Sequence, residues 1–214
     1  SAVEHPSVLG AIRQLEAQEG FRCTYLDPDA DGRISLEDVS EALCDDTALV
    51  ALMAANNEIG NLYPVQQVGE MLRQRRIPLH VDCVQVLGKE PLDLRSLYAS
   101  TASFSAHKIH GPKGVGALFV RNSLRLSPFL VGGHQERERR AGTEAVSLIA
   151  GFGVATKLIM SNRTGVQERL RSLGAMLWRE VTQRIEGVTL NGDPDPLGRL
   201  ASTINMSFDG TEGE

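Results

Sequence analysis

The chain has 214 residues, and 22 Lys and Arg residues against 27 Asp and Glu residues give it a formal net charge of -5. The basic footprint of a nucleic-acid-binding protein is therefore absent. With 42% hydrophobic and 23% charged residues, the composition is typical of a globular chain of one or two domains. The longest apolar stretch, 148–160, is shorter than the ~20 residues that span a bilayer, so no membrane association is predicted.

Capping residues and the spacing of apolar side chains predict the secondary structure. In chain order, we expect helix 6–19, strand 21–26, helix 35–42, strand 47–53, helix 64–75, strands 77–81, 101–104 and 116–120, helices 145–160 and 166–186, and strand 202–208. Pro6 suits the first turn of the first helix, and Gly20 suits its end. Ser35 and Asp38 have the spacing of a capping box.

Strands that alternate with helices predict an α/β domain with a largely parallel sheet. The polar stretch 161–165 is expected to be a linker, which places a domain boundary near residue 162. Residues 1–162 would form a large domain, and residues 163–214 would begin a smaller one. The sequence does not begin with Met, and we expect it to be the middle of a longer protein.

The three cysteines, Cys23, Cys44 and Cys83, form no Cys-x-x-Cys pair. Neither a zinc site nor a disulfide framework is predicted, and a reducing compartment fits best. Cys83 is expected to be a small buried apolar residue.

The segment 27–34 matches the first eight positions of a calcium-binding EF-hand loop. Its carboxylates would come from Asp27, Asp29 and Asp31. Position twelve is Asp38 instead of the bidentate Glu, and a strand is predicted where the entering helix should lie. A solvated acidic turn is the favoured interpretation, and no metal site is predicted.

Polar side chains follow three successive apolar strands. Asn57 comes after strand 47–53, Asp82 and Gln85 follow strand 77–81, and the segment 105–108 follows strand 101–104. In an open parallel sheet, ligands bind at this edge. A Lys there can form a Schiff base with pyridoxal 5'-phosphate, and an acidic residue can keep the pyridine nitrogen protonated.

Segments 53–60, 80–85 and 103–114 together resemble the cysteine desulfurases of the class V aminotransferase superfamily. The resemblance runs from residue 4 to residue 214. It implies a pyridoxal-phosphate-dependent transferase fold (fold type I) with a large domain and the start of a smaller α+β domain. It also implies conversion of L-cysteine to L-alanine, with transfer of sulfur as an enzyme persulfide for iron–sulfur clusters or thiolated cofactors. A cytoplasmic homodimer and a sulfur-acceptor or iron–sulfur scaffold protein as partner are expected.

The resemblance also implies catalytic and ring-binding roles. Lys108 would hold the cofactor covalently and move protons at the substrate carbon, whereas Lys113 is its nearby competitor. Asp82 would pair with the pyridinium nitrogen, and Gln85 would contact the phenolic oxygen of the ring. His5 would stack on the ring and assist proton transfer.

The remaining implied residues bind the carboxylate and phosphate groups. Asn57 would approach the ring and the substrate carboxylate. Ser105 and His107 would hold the phosphate, and Thr143 would reach the phosphate of the neighbouring subunit. Without the resemblance, Asn57 would be interpreted as a turn residue and Thr143 as a helix cap.

The nucleophilic cysteine of the resembled family lies on a mobile loop beyond the strand where this sequence ends. We therefore expect these 214 residues alone to be inactive in sulfur transfer. A selenocysteine lyase or another class V lyase would share Lys108 and Asp82. A non-catalytic scaffold and a calcium-binding module are the alternatives from other functional classes.

Overall fold

The computed structural model describes residues 1–213. The helices are α1 (Pro6–Glu19), α2 (Leu36–Ala42), α3 (Val65–Arg75), the single turn α4 (Gln135–Glu138), α5 (Val146–Ser161) and α6 (Arg163–Arg184). The strands are β1 (Val50–Met53), β2 (Leu79–Asp82), β3 (Thr101–Ser105), β4 (Gly116–Val120), β5 (Val188–Asn191) and β6 (Asn205–Phe208). Short 3₁₀ turns lie at Ala106–Ile109 and Pro196–Gly198.

The first four strands form one sheet in the order β1-β2-β3-β4. The pairings of β1 with β2 and of β2 with β3 are parallel, and β4 runs antiparallel to β3. β5 and β6 form a separate antiparallel pair. The largely parallel sheet predicted from the alternation of strands and helices is therefore confirmed.

Local capping explains where the first helices begin and end. Ser7 N donates to the His5 ring at the start of α1, and Gly20 ends this helix with φ at 69°. At α2, Ser35 Oγ accepts from Asp38 N at 3.0 Å, and Asp38 Oδ2 accepts from Ser35 N at 2.7 Å. The predicted bounds of α1 and the predicted capping box are both confirmed.

The core lies between the three parallel strands and α3. Leu52, Val81 and Ala102 come from β1, β2 and β3, while Val68 and Leu72 come from α3, and all five side chains are buried. Each large apolar side chain contributes about 1.5–3 kcal/mol on burial. This packing fixes the three strands that carry the polar residues at the sheet edge.

Two structural predictions made from the sequence are wrong. Residues 21–26 form no strand, because Phe21 remains 51% exposed and the described residues offer this segment no partner strand. Its backbone is held at its two ends, where Phe21 N donates to Leu15 O at 3.4 Å and Leu26 O accepts from Ala2 N at 2.9 Å. The predicted linker 161–165 is also wrong, since only Asn162 separates α5 from α6.

One strand was not predicted. β5 has only four residues, and it lies between Gly187 and Gly192, whose φ angles are 67° and 96°. The local signals for the strand are these glycines and the short alternation of apolar and polar residues between them. Its pairing with β6 depends on residues 14 to 20 positions away, from the match of Asn191 with Asn205 to that of Val188 with Phe208.

Among the helices within residues 1–213, none is both long and apolar enough to cross a bilayer. The division of the chain at residue 162 stays a prediction.

Candidate functional site

The carboxyl ends of the three parallel strands meet at one edge of the sheet. Met53 lies opposite Asp82, and Asp82 lies opposite Ser103. The ladder continues beyond the strands, because Ala54 N donates to Asp82 O at 2.9 Å and Cys83 N donates to Ser103 O at 3.0 Å. The three polar segments predicted to meet therefore leave the sheet side by side, at the edge where open α/β sheets bind ligands.

Asp82 supplies a carboxylate fixed at the centre of this edge. The residue is 8% exposed, and its Oδ1 accepts from Val84 N at 2.9 Å. This bond orients the carboxylate. Within residues 1–213 no donor is bonded to its other oxygen, Oδ2, which can therefore accept a cationic partner.

His80 lies beneath Asp82 on the same face of β2, and sequence reasoning missed it. Its Nδ1 is 2.8 Å from Thr101 Oγ1. Burial lowers the pKa of His80, against the opposing charges of Asp82 and Glu4, so the neutral ring is favoured. The sequence does carry a signal for His80. It stands two positions before Asp82 on the same strand, and residues with this spacing lie on the same face.

Ser105 and His107 form a polar pair at the end of β3. Ser105 Oγ and His107 Nδ1 are 2.7 Å apart, and the His107 ring is exposed. A hydroxyl and an imidazole held together in this way can donate to an anionic group such as a phosphate.

Lys108 lies exposed in the 3₁₀ turn after β3. Sequence reasoning missed a second lysine near it, Lys89. Lys89 Nζ donates to Gln85 Oε1 at 2.8 Å. Burial and, second, the charge of Lys108 lower the pKa of Lys89. Lys89 therefore contacts Gln85 and lies within electrostatic range of Lys108. The amide nitrogen of Gln85 is its remaining group for an outside acceptor.

Asn57 lies half-buried at the start of the loop after β1. The preceding Asn56 holds this loop: its Oδ1 accepts from Glu58 N at 2.8 Å and from Ile59 N at 3.0 Å, and its Nδ2 donates to Val3 O at 3.2 Å. Asn56 is thus the structural residue of the pair, and Asn57 is the one with a side chain available to a ligand.

The segment that carries His5 is tied to the end of β1 through the neighbouring Glu4. The Glu4 carboxylate is buried and accepts from Met53 N at 2.9 Å, which ties this segment to the end of β1. The His5 ring is exposed, and Nδ1 accepts from Ser7 N at 3.2 Å. A neutral His5 therefore carries its proton on Nε2, the nitrogen that faces away from the helix cap.

Thr143 is not brought to this edge by any hydrogen bond found within residues 1–213. It is exposed in the segment between α4 and α5. Its expected contact with the phosphate of a neighbouring subunit stays a prediction.

Two carboxylates of the EF-hand-like segment, those of Asp29 and Asp31, are bonded within their own loop. Asp29 Oδ1 accepts from Asp31 N at 3.0 Å and from Arg33 N at 2.8 Å, while Asp38 belongs to the capping box of α2. In the described part of the chain, no group of three ligand-type side chains is arranged to hold a metal ion.

Cys83 directly follows Asp82, the last residue of β2, and is completely buried, as expected. Burial and, second, the charge of Asp82 raise the pKa of the Cys83 thiol to about 12. This cysteine therefore stays a neutral thiol near neutral pH, and it is a poor nucleophile.

The chain is similar to curated cysteine desulfurases over nearly its whole length. "Cysteine desulfurase IscS" of Clostridium botulinum (strain Hall) is 42% identical over 212 residues, which are 99% of this chain and 53% of that protein. "Cysteine desulfurase, mitochondrial" of Arabidopsis thaliana is 42% identical over 213 residues, 99% of this chain and 46% of that protein. The chain thus spans about half the length of the curated relatives it matches.

Solved structures show the same fold. A "NifS-like protein" superposes with a TM-score of 0.91 at 34% identity, covering 97% of this chain and 56% of that one. DndA from Streptomyces lividans superposes with a TM-score of 0.89 at 37% identity, covering 100% of this chain and 60% of that one. The predicted transferase-like α/β fold is confirmed. The model of the family described as "Aminotransferase class-V" matches residues 1–214, and the chain therefore belongs to the class-V aminotransferase family.

Proposed function

We propose that this chain carries the cofactor-binding part of a pyridoxal-phosphate-dependent cysteine desulfurase. The proposed reaction converts L-cysteine to L-alanine and passes the sulfur on as an enzyme persulfide. The observation that carries the proposal is the meeting of Asp82, the Ser105–His107 pair and Lys108 at one sheet edge. The names of the relatives at 42% identity support the substrate.

The donor set fits pyridoxal 5'-phosphate in chemical terms. A fixed carboxylate, a hydroxyl–imidazole pair and primary amines are the partners that a pyridine nitrogen, a phosphate and an aldehyde require. When bound, the cofactor supplies an electron-withdrawing ring next to the substrate carbon. The side chains must hold that ring and move protons around it.

Three side chains would orient the ring. The free oxygen of Asp82 stabilises a protonated ring nitrogen, because an opposite charge nearby favours the charged form. The amide nitrogen of Gln85 donates to the phenolic oxygen. The His5 ring stacks on the cofactor face and presents Nε2 for proton transfer.

The remaining side chains would act at the phosphate and at the substrate. Ser105 Oγ and His107 donate to the phosphate oxygens. Asn57 contacts the substrate carboxylate. Lys108 Nζ would hold the cofactor and would remove or return the proton at the substrate α-carbon.

Proton movement can be tested without sulfur transfer. The cofactor-loaded chain is incubated with L-alanine in D₂O, and deuterium at the α-carbon is measured by mass spectrometry. We expect exchange that is lost in Lys108→Ala and retained in Lys113→Ala, the matched surface lysine. Exchange that survives Lys108→Ala would contradict the role of this residue. Parallel incubations of the assembled enzyme with L-cysteine and L-selenocysteine distinguish a desulfurase from a selenocysteine lyase.

We further propose a cytoplasmic homodimer that delivers sulfur to an acceptor or iron–sulfur scaffold protein, with Thr143 completing the phosphate site of the neighbouring subunit. Mixing Lys108→Ala chains with Thr143→Ala chains tests the shared site. In a mixed dimer, one site combines an intact Lys108 with an intact Thr143. Cofactor binding should therefore return on mixing, and an absence of recovery would contradict the shared site.

A further inference from the structure

A buried amide joins two distant parts of the chain beside the candidate site. Asn61 is 1% exposed, and both ends of its side chain are bonded to backbone groups. Its Nδ2 donates to Asp31 O at 2.8 Å, and its Oδ1 accepts from Asp193 N at 2.7 Å. Leaving a buried amide without these hydrogen-bond partners would destabilise the folded state. The Asn61 side chain therefore favours the one arrangement of the two segments in which both of its bonds are made.

An ion pair closes the same junction. Arg33 Nε donates to Asp193 Oδ2 at 3.0 Å, and Arg33 Nη2 donates to Asp193 Oδ1 at 2.8 Å. The Asp193 side chain is 16% exposed, and the bond from Arg33 lowers its pKa, so the carboxylate is charged at neutral pH. Such two-point pairing fixes orientation as well as distance. We call the three side chains Arg33, Asn61 and Asp193 the clamp.

The clamp acts on the loop that carries Asn57. This loop is also held by backbone bonds from the C-terminal segment, since Leu200 N donates to Gly60 O at 2.9 Å and Leu62 N donates to Gly198 O at 2.8 Å. Asn205 Nδ2 further donates to Glu58 O at 3.3 Å.

The approach of the two segments is close. Gly60 has a φ of 82°, and a Cβ at this position would lie 2.8 Å from Thr203 Cβ. The loop that begins next to the sheet edge is therefore fixed by residues 193–205, more than 130 positions further along the chain.

We propose that the clamp positions Asn57 for the cofactor and the substrate carboxylate, so that the C-terminal segment determines how well the cofactor site is formed. This proposal rests on the proposed function. Arg33, Asn61 and Asp193 act through Asn57 and are positioning residues. Asp82 lies in β2 and Lys108 lies in the turn after β3, so neither residue is on the loop that the clamp holds.

The test uses two clamp variants and one matched control. Asn61→Leu keeps the branch at Cγ but removes both bonds, and Arg33→Gln removes the ion pair at a partly exposed position. Arg22→Gln is the control, because Arg22 and Asp46 form an ion pair at the surface that does not touch the loop. Two quantities are measured below the unfolding transition: amide hydrogen exchange in residues 56–62, and the dissociation constant of pyridoxal phosphate by absorbance.

We expect Asn61→Leu to accelerate exchange in residues 56–62 and to weaken cofactor binding by about tenfold, as for the loss of one or two buried hydrogen bonds. Arg33→Gln should move both quantities in the same direction by about threefold, as expected of a partly exposed pair. Arg22→Gln should change neither.

Unchanged cofactor affinity in both clamp variants would overturn the proposal, even if their thermal midpoints fall, because a merely structural role lowers stability without changing the site. Failure of the unsubstituted protein to bind pyridoxal phosphate would instead refute the proposed function. The two failures are therefore distinguishable.

Discussion

The parallel-sheet region and the pair of helices α5 and α6 differ in how they bury apolar side chains. Leu52, Val81 and Leu72 are fully enclosed between the strands and α3. By contrast, neither α5 nor α6 has a buried residue, and Val146 and Leu158 of α5 are 71% and 66% exposed. Packing inside the chain therefore determines the position of the sheet edge.

The candidate site residues divide along the same line. Asp82 is held between β1 and β3 by strand pairing, whereas Thr143 lies in the exposed segment before α5. The residues expected to hold the ring are placed by the sheet. The residue expected to serve a neighbouring subunit lies outside it. The following predictions test this contrast, beginning with the largest expected effect.

Leucine truncation in the two regions should give very different losses of stability. Leu52→Ala leaves a cavity in a closed core and should lower the free energy of unfolding by about 2–5 kcal/mol. Leu158→Ala removes a side chain that is mostly in solvent and should change it by no more than about 0.5 kcal/mol. Denaturant unfolding measures both values. Equal losses would show that α5 is packed as tightly as the sheet.

Two helical glycines give a second, smaller contrast. A Cβ at Gly69 of α3 would overlap the Leu97 carbonyl oxygen, so Gly69→Ala should cost about 1–3 kcal/mol. A Cβ at Gly153 of α5 would meet nothing within 4 Å, so Gly153→Ala should stabilise the protein by up to about 1 kcal/mol. Thermal unfolding tests both signs, and a destabilising Gly153→Ala would contradict the open surface of α5.

The capping box of α2 should give the smallest effect. Ser35→Ala removes one side-chain cap and should cost about 1 kcal/mol, whereas α5 has no side-chain cap to lose. Bonds from Ser35 lower the pKa of Asp38. The stabilisation from Asp38 is therefore complete above the ordinary carboxyl pKa and is lost as pH falls through the lower pKa of the folded state.

Unfolding followed against pH checks this sign. In the unsubstituted protein, the free energy of unfolding should fall as the pH drops from the ordinary carboxyl pKa through the lower pKa of folded Asp38. Asp38→Asn should make the free energy of unfolding less dependent on pH. Asp193 contributes with the same sign, because the bond from Arg33 lowers its pKa. If Asp38→Asn left the dependence of the free energy of unfolding on pH unchanged, the capping box would be ruled out as the source of that dependence.

Local chemistry made several elements predictable from the sequence. Pro6 and Gly20 mark the ends of α1, and Ser35 with Asp38 marks the start of α2. The sheet edge was predictable because polar residues follow each buried strand. The failed strand at 21–26 shows the limit, since alternation alone does not supply a partner strand.

Contacts between distant residues were not predictable in the same way. The proximity of Lys89 to Lys108 depends on how the segment after β2 packs beside the turn after β3. The bond from Asn61 to Asp193 spans 132 positions, and no local pattern marks either residue. Such contacts follow from the assembled sheet, and only a structure reveals them.

The central claim is that the sheet edge forms a cofactor site with Lys108 as the attachment point. The most direct measurement is borohydride reduction of the protein with pyridoxal phosphate, followed by peptide mapping of the modified lysine. Lys89 is the lysine that competes with Lys108 for the aldehyde of pyridoxal phosphate. Burial and the charge of Lys108 lower the pKa of Lys89 and so favour its reactive neutral amine. We predict a pyridoxyl group on Lys108 that disappears in Lys108→Ala. Modification of Lys89 or Lys113 instead, or no modification of the folded protein, would contradict the account.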